Sequence, residues 1–590
     1  MYENVNNPQL RSLLIQLHHV HEWLDRLPYS IQLYIKASDI YSRLGYPDLA
    51  VGAAYKALLL VDAIEDDCDE FHREAIANAR DSLVQLPAEL MSTTPATNSE
   101  TLKALPLEDP GAKDKCESHE PPTVASNIVE WVGEALKPFL HLVLAENLLH
   151  CGCYRSAFQQ CQRGLQQSSS DKALLSAREA VFQAVRLHFE RSGEARPEPL
   201  ESDQDAWPDA GLVRRENYPW NDYHPDRFSQ DSLDLLNQEM SRWAPKLEVK
   251  AVDLPALLVD SPETTSKQLG VFAREDLHPG DIILDEVSLL TANNRLLDPL
   301  CDACGVDIEA EAEKVDGGVT CDECYTVFCS EKCLEAANDT YHPAVCDRGI
   351  DAVARDVPPA QAADSLYLLL LVRSLAMATT QELHPLNLRE TKFIWGDYHA
   401  LDLPNYWQPA TCTNPFSSLP RALPFNYSLS VLLPFDILTK MDINIFTSHR
   451  DYDVWIFNTL YAKFRGTASA RFSKAAQAKG GLKLGRRMQG PEVSAVHPCW
   501  CLANHSCDPN VAWEWGGQVQ FKVREERVKW DGHGRGETKA VASAGIRKGE
   551  EVLNHYCDVR LSVDERRGWA KGALGGNCRC DRCKWEAGEE

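Results

Sequence analysis

Ten of the twenty cysteines in this 590-residue chain are crowded into two short stretches, seven between Cys301 and Cys346 and three in the six residues from Cys578 to Cys583. What such crowding permits depends on the redox setting. The chain opens "MYENVNNPQL", without a charged-then-apolar leader, and holds no run of eighteen apolar residues, so neither secretion nor membrane spanning finds support. The expectation is an intracellular protein, nuclear or cytoplasmic or both, with no membrane partner. In a reducing compartment clustered thiols serve as metal ligands, nucleophiles or small buried hydrophobes in preference to disulfides.

Spacing separates these roles. Cys301 and Cys304 are two residues apart, as are Cys321 and Cys324, and Cys329, Cys333, His342 and Cys346 follow. Loops that short let two soft ligands reach one tetrahedral zinc ion at about 2.3 Å. Eight ligands make two closed sites of the structural kind. Buried free cysteines would need four separate spacings to coincide.

The rest of the chain divides by composition. Its length exceeds what one hydrophobic core supports, so several domains are expected. Residues 1–90 are rich in Leu, Ala and Ile at helical spacing, and "DIYSRLGYPDLAVGAAYKALLLVD" predicts two antiparallel helices turning at Gly45. Tyr41, Leu44, Gly45, Ala57 and Val61 fall on the small and large positions of a tetratricopeptide repeat, with Asp48 where an aromatic is usual. "LVLAENLLHCGCYRSAFQQCQRGL" repeats the arrangement around Gly152, with Leu148 and Ala157 flanking it, inside a second helical region at 126–245. Such helices imply peptide docking; a plain helical bundle without a ligand is the alternative. Between them, 91–125 is a Thr/Pro/Ser/Glu-rich linker, too poor in apolar groups to order itself. Sixty basic against eighty-seven acidic residues give a formal charge of -27, which argues against direct nucleic acid binding.

From about residue 246 the pattern changes to strands and turns. Leu269–Ala273 and Ile282–Leu284 are short β-rich runs separated by Pro279-Gly280, and a hairpin between them is the simplest expectation. Near the C-terminus "ANHSCDPN" (Ala503 to Asn510) is followed by "GIRKGEEVLNHYCD" and then by "CRCDRC". Together with "LGVFA" upstream and "SLYLLLLVRSLAM" as an intervening helix, these segments resemble the SET domain of protein-lysine methyltransferases. The insertion between them, Cys-x2-Cys, Cys-x2-Cys, Cys-x3-Cys, His-x3-Cys, resembles the MYND zinc finger. The chain from about Lys246 to Cys583 is thus similar to the SET and MYND family.

That resemblance implies an α+β protein: an all-α repeat-like N-terminal region, then a β-rich SET fold split into 246–300, a MYND finger at 301–346, a helical insertion at 347–495, a C-terminal core at 496–560 and a post-SET tail at 561–590. It implies S-adenosylmethionine as cofactor and a lysine-bearing protein or peptide as substrate, with the finger and the helical repeats available to peptide partners. Asn504 and His505 match the cofactor-contacting pair, Leu269 and Gly270 the strand that lends main-chain groups to its methionine end, and Tyr556 the catalytic tyrosine, which also borders the cofactor. Three structural zinc sites are implied: Cys301, Cys304, Cys329 and Cys333; Cys321, Cys324, His342 and Cys346; and, over the cofactor, Cys578, Cys580 and Cys583 completed by Cys507.

The sequence departs from the family pattern in two places. Lys267, Gln268, Leu269 and Gly270 stand where Lys-Gly-x-Gly is common, and Gly576 stands where an aromatic often precedes the tail cysteines, leaving Trp569 or Trp585 to fill that space. These departures motivate an alternative, a SET fold of little or no turnover that recruits partners as a scaffold. A basic stretch from Arg465 to Gly490, with Lys463 before it, reads as a solvated loop or as a docking surface for an acidic partner.

Overall fold

The computed structural model describes residues 7–87, 89–90, 128–195, 197–255, 265–294, 300–308, 318–350, 362–394, 421–473, 482–483, 486–487, 490–530, 545–574 and 576–589, together with Tyr2 and Val5. The expected linker at 91–125 lies outside these residues. The chain mixes helices and strands and forms two compact units, Met1–Arg215 with His399–Asn458, and Glu216–Tyr398 with Thr459–Glu590. Among the described residues no helix is long and apolar enough to cross a membrane.

In the first unit both expected helix pairs are present. Ile31–Leu44 starts where the Ser30 hydroxyl accepts from the Leu33 N–H and ends at Gly45, whose φ of 85° reverses the chain before Pro47–Glu65 begins with proline in its first turn. Lys137–Cys151 ends likewise at Gly152, with φ 82°, before Tyr154–Gln167. Strand Ala210–Arg214 pairs with Arg421–Asn426. It runs flush against the helix end, because a Cβ at Gly211 would fall 2.0 Å from the Cys151 carbonyl oxygen. Asp48, out of place for a repeat motif, is buried and accepts from Asn458 Nδ2 at 2.7 Å, while buried Lys56 stands 3.3 Å from Asp453 and over the Phe435 ring. Residues 421–458 therefore pack as part of the helical unit.

The second unit starts at Glu216, earlier than the composition change near 246. Helix Gln230–Trp243 packs on the strand after it, with the Asn237 amide donating to the Val249 carbonyl at 3.0 Å and accepting from the Val249 N–H at 2.8 Å. Leu247–Pro255 and Thr265–Ala273 form a nine-residue antiparallel ladder. Val511–Trp515, Val519–Val523 and Ile282–Glu286 form one three-stranded sheet, and Thr291–Asn293, Val493–Ala495 and Ser469–Arg471 another. Val249, Val271, Leu284, Val511, Phe521 and Val552 meet in one core.

The expected hairpin between Leu269–Ala273 and Ile282–Leu284 does not form. Gly280 turns the chain as anticipated, with φ 89°, but each run pairs elsewhere: the first with Leu247–Pro255, the second with Val519–Val523. The first run takes the strand just before it in sequence, and the second joins a three-stranded sheet whose other two strands lie more than 200 residues further along the chain. Three of the cations in and before the basic stretch are engaged within the fold, while 474–481, 484–485 and 488–489 lie outside the described residues. Lys463 is buried and donates to the carbonyls of Thr391 and Ile394 at 2.8 and 3.2 Å, Arg465 stands 3.3 Å from Asp364, and Arg471 lies 2.8 Å from Asp307.

Candidate functional site

The cysteine-rich insertion gathers its ligands in two fours. Cys301, Cys304, Cys329 and Cys333 bring their sulfurs within 4.8 Å of one another, and so do the ligand atoms of Cys321, Cys324, His342 and Cys346. Cys329 Sγ stands 3.5 Å from that of Cys333 and 3.8 Å from that of Cys304, Cys321 Sγ 3.8 Å from that of Cys346, and Cys324 Sγ 3.5 Å from His342 Nε2. Ligands about 2.3 Å from a tetrahedral ion stand about 3.8 Å apart, whereas bonded sulfurs stand about 2.05 Å apart. Both groups are compatible with zinc and with the alternating use of the pairs. Asp302, inside the first Cys-x2-Cys loop, ties the insertion to helix Ala362–Thr380. Its carboxylate meets Arg373 at 2.9 Å and accepts from the Tyr341 hydroxyl at 2.8 Å, and the guanidinium lies 3.6 Å from the Tyr341 ring centre.

The tail forms a third group of thiols. Cys507, Cys578, Cys580 and Cys583 lie within 4.8 Å of one another, with Cys583 Sγ 3.3 Å from Cys507 Sγ. Helix Val563–Leu574 starts at a capping box, in which the Ser562 hydroxyl accepts from the Glu565 N–H and Glu565 accepts from the Ser562 N–H. Arg582 then braces the tail to the distant turn, donating to the carbonyls of Cys507 and Val559 at 2.9 Å each. Cys557 is a further buried thiol in reach, within 4.8 Å of both Cys507 and His505.

Two crossing segments position the remaining candidate residues. His505 forms a parallel bridge with Asn554, Asn504 accepts from the Asn554 N–H at 2.8 Å, and Ser506 donates to the Asn554 carbonyl at 2.8 Å. Asn510 fastens the crossing at its far side, its amide donating to Glu551 O and accepting from Leu553 N–H, both at 2.8 Å. Ala503–Asn510 and Glu551–Cys557 are thereby locked in register, which brings Tyr556 beside the Asn504-His505 turn. The Tyr556 hydroxyl donates to the Ala503 carbonyl at 2.9 Å, its ring stands 5.1 Å from that of His505 and 6.4 Å from that of Trp500, and burial pushes its phenol well above the usual range.

His505 is held neutral, burial lowering it to about 4. Its Nδ1 accepts from the Tyr556 N–H at 3.0 Å, so its ring proton sits on Nε2, 3.4 Å from Cys507 Sγ. One imidazole thus links the tail thiols to the tyrosine strand. Asn504 Nδ2 donates to the Leu269 carbonyl at 2.9 Å and to Glu551 Oε1 at 2.7 Å. Gly270 lies against the same groups, for a Cβ there would stand 2.7 Å from Glu551 Oε1 and 3.2 Å from Asn504 Nδ2. The five residues singled out at the cofactor and catalytic positions come together in one place.

Several site residues carried no sequence signal. Glu286 is fully buried and accepts from the Cys499 and Trp500 N–H groups at 3.0 and 2.8 Å, holding the turn that precedes Ala503. Trp500, 6.4 Å from the Tyr556 ring, stands 5.2 Å from Trp513, whose indole N–H donates to the His555 carbonyl at 3.1 Å. Trp569 and Trp585 are instead 63% and 39% exposed on the tail. Isolated tryptophans and a lone glutamate have no spacing to betray them.

Residues 268–557 match the family model of the SET domain, so the chain carries a SET domain that includes Leu269, Gly270, Asn504, His505, Cys507 and Tyr556, with the tail cysteines after its end. SET domains are generally protein-lysine methyltransferases, use S-adenosylmethionine and act on a lysine-bearing protein. None of the curated proteins searched matches the chain.

Proposed function

We propose that this chain is an S-adenosylmethionine-dependent protein-lysine N-methyltransferase of the SET and MYND type, with zinc in its three cysteine groups. The observation that carries the reading is convergence: Tyr556, the Asn504-His505 turn, the Leu269-Gly270 strand and the four tail sulfurs, spread over more than 300 residues, interlock through direct hydrogen bonds. The soft donor sets fit zinc, and the glycine cradle with its polar rim fits the amino-acid end of the cofactor.

When bound, the cofactor supplies an activated methyl group, and the chain's task is to present a neutral lysine amine in line with it. The raised phenol of Tyr556 keeps its proton across the physiological range. With that proton directed at the Ala503 carbonyl, the oxygen lone pairs are left to accept from the amine and orient it. Rate then comes mainly from alignment, for which effective molarities of about 10^5 M or more are attainable. Trp500, backed by Trp513, would exclude water from one side of Tyr556, and desolvation lowers the pKa of the lysine ammonium, so its proton leaves to solvent before transfer. Tyr556 therefore acts as an orienting group and not as a base. His505 contributes its neutral ring to the scaffold between tail and tyrosine and its backbone to the cofactor.

The test is calorimetric titration of purified protein with S-adenosylmethionine, followed by incubation with labelled cofactor and a total cell lysate. Saturable binding and labelled lysine are expected. An absence of binding would end the enzyme reading and leave the scaffold alternative.

A further inference from the structure

The tail brings together more sulfur than a closed zinc site uses. Cys507, Cys578, Cys580 and Cys583 make a complete tetrahedral set. Yet Cys557, the residue after Tyr556, is buried in the same cluster, its sulfur within 4.8 Å of Cys507 Sγ and of a ring nitrogen of His505.

His505 does not turn this second group into a metal site. Its Nδ1 accepts from the Tyr556 N–H at 3.0 Å, which leaves the ring proton on Nε2, the nitrogen 3.4 Å from Cys507 Sγ. A nitrogen that carries its proton donates to sulfur and does not ligate a metal. Cys557 is therefore a thiol outside the metal set, beside a sulfur that belongs to it. Sulfur that ligates a metal is thiolate, the form that attacks a peroxide. Arg566, its side chain fully buried and paired with Glu586, adds a guanidinium 3.7 Å from Cys583 Sγ. Of the five cysteines Cys580 alone is only half-buried, so the cluster meets solvent on its side.

We propose that Cys507 and Cys557 are a redox-sensitive pair, which hydrogen peroxide converts to a disulfide at the cost of one ligand of the tail site. The Cys507 thiolate attacks a peroxide oxygen; the O–O bond breaks, Cys507 becomes a sulfenic acid, and the departing hydroxide takes a proton from solvent to become water. Cys557 then attacks the sulfenic sulfur: the S–S bond forms, the S–O bond breaks, and the Cys557 proton leaves with the hydroxide as a second water. Two electrons pass from the sulfurs to the peroxide. The proposal rests on the zinc reading of the tail and adds to it a reversible modification on the segment that carries Tyr556.

The test treats zinc-loaded full-length wild type and Cys557→Ser with hydrogen peroxide, reading zinc release with a chromogenic chelator and cross-linked peptides by mass spectrometry. Expected in wild type are a peptide pair joined through Cys507 and Cys557, release of the tail zinc, and recovery of the site with dithiothreitol and added zinc. In Cys557→Ser the sulfenic acid lacks the thiol already in place to resolve it, so release slows about tenfold or more. Prolonged treatment of the variant then yields sulfinic acid, which dithiothreitol does not reverse. Wild-type disulfides confined to Cys507, Cys578, Cys580 and Cys583 would overturn the proposal, as would equal release rates in the two proteins. The wild-type peptide map decides the matter even if the variant does not fold. A tail that holds no zinc before treatment overturns the zinc reading itself, an outcome distinct from zinc-loaded protein in which Cys507 and Cys557 never join.

Discussion

Removing one oxygen from Tyr556 separates its chemical role from its structural one. In Tyr556→Phe the ring keeps its place against His505 and Trp500, and the tyrosine N–H still reaches His505 Nδ1; what disappears is the 2.9 Å hydrogen bond to the Ala503 carbonyl. A neutral hydrogen bond of this kind contributes about 1 kcal/mol to stability. In a unit of this size that lowers the melting temperature by about 2 °C or less. The same oxygen, aimed at the reacting amine, is worth much more in the transition state, where losing one positioned polar group typically costs about 10^2 to 10^3 in kcat. Expected, then, are a nearly unchanged melting curve, an S-adenosylmethionine affinity within about threefold of wild type, and methyl transfer reduced about a hundredfold or more. The assays are differential scanning calorimetry, titration calorimetry and transfer of labelled methyl to lysate protein. Methylation within about threefold of wild type would refute the reasoning, as would a loss of affinity that matched the loss of rate.

Other perturbations probe the surrounding structure. Arg373→Met leaves the Asp302 carboxylate without its guanidinium in a site where both side chains are 10% exposed, and should cost about 3–5 kcal/mol in chemical denaturation. Adding Asp302→Leu should restore most of that loss, and a double variant no more stable than the single one would contradict the account. Replacing Cys578 and Cys583 together by Ser should lower bound zinc, measured by atomic emission, by one ion per chain while the two insertion sites keep theirs; unchanged zinc content would exclude a metal at the tail. Burial raises the Glu286 carboxyl from 4.5 to about 7, so the folded chain holds this proton more tightly than the unfolded one. Its contribution to stability is full below about pH 4.5 and is lost as pH rises towards 7, by at most about 3 kcal/mol. Glu286→Gln should flatten that part of the stability profile, and an identical slope in the variant would show that the proton resides elsewhere.

Some of this architecture is a property of short sequence spans alone. A two-residue loop between cysteines restricts both sulfurs to one small volume whatever surrounds them, so the metal-ligating character of 301–346 and of the tail is local information. The reversals at Gly45 and Gly152 are local too, because a left-handed residue after a helical run ends the helix before any tertiary contact is made. The "NHSCDPN" and "GEEVLNHYCD" segments signalled a site by their resemblance to the closing motifs of the SET domain. Tertiary structure alone decided which strands pair, since Leu269–Ala273 and Ile282–Leu284 carry a hairpin's pattern yet find partners at Leu247–Pro255 and Val519–Val523. It also decided that Glu286 caps the turn before Ala503, that Asp302 meets Arg373, and that Glu551 accepts from Asn504 beside Gly270. A single carboxylate looks the same in sequence whether it is solvated or buried. Its energy, and hence its role, depends on the dielectric and partners around it, and chain segments up to hundreds of residues away supply both.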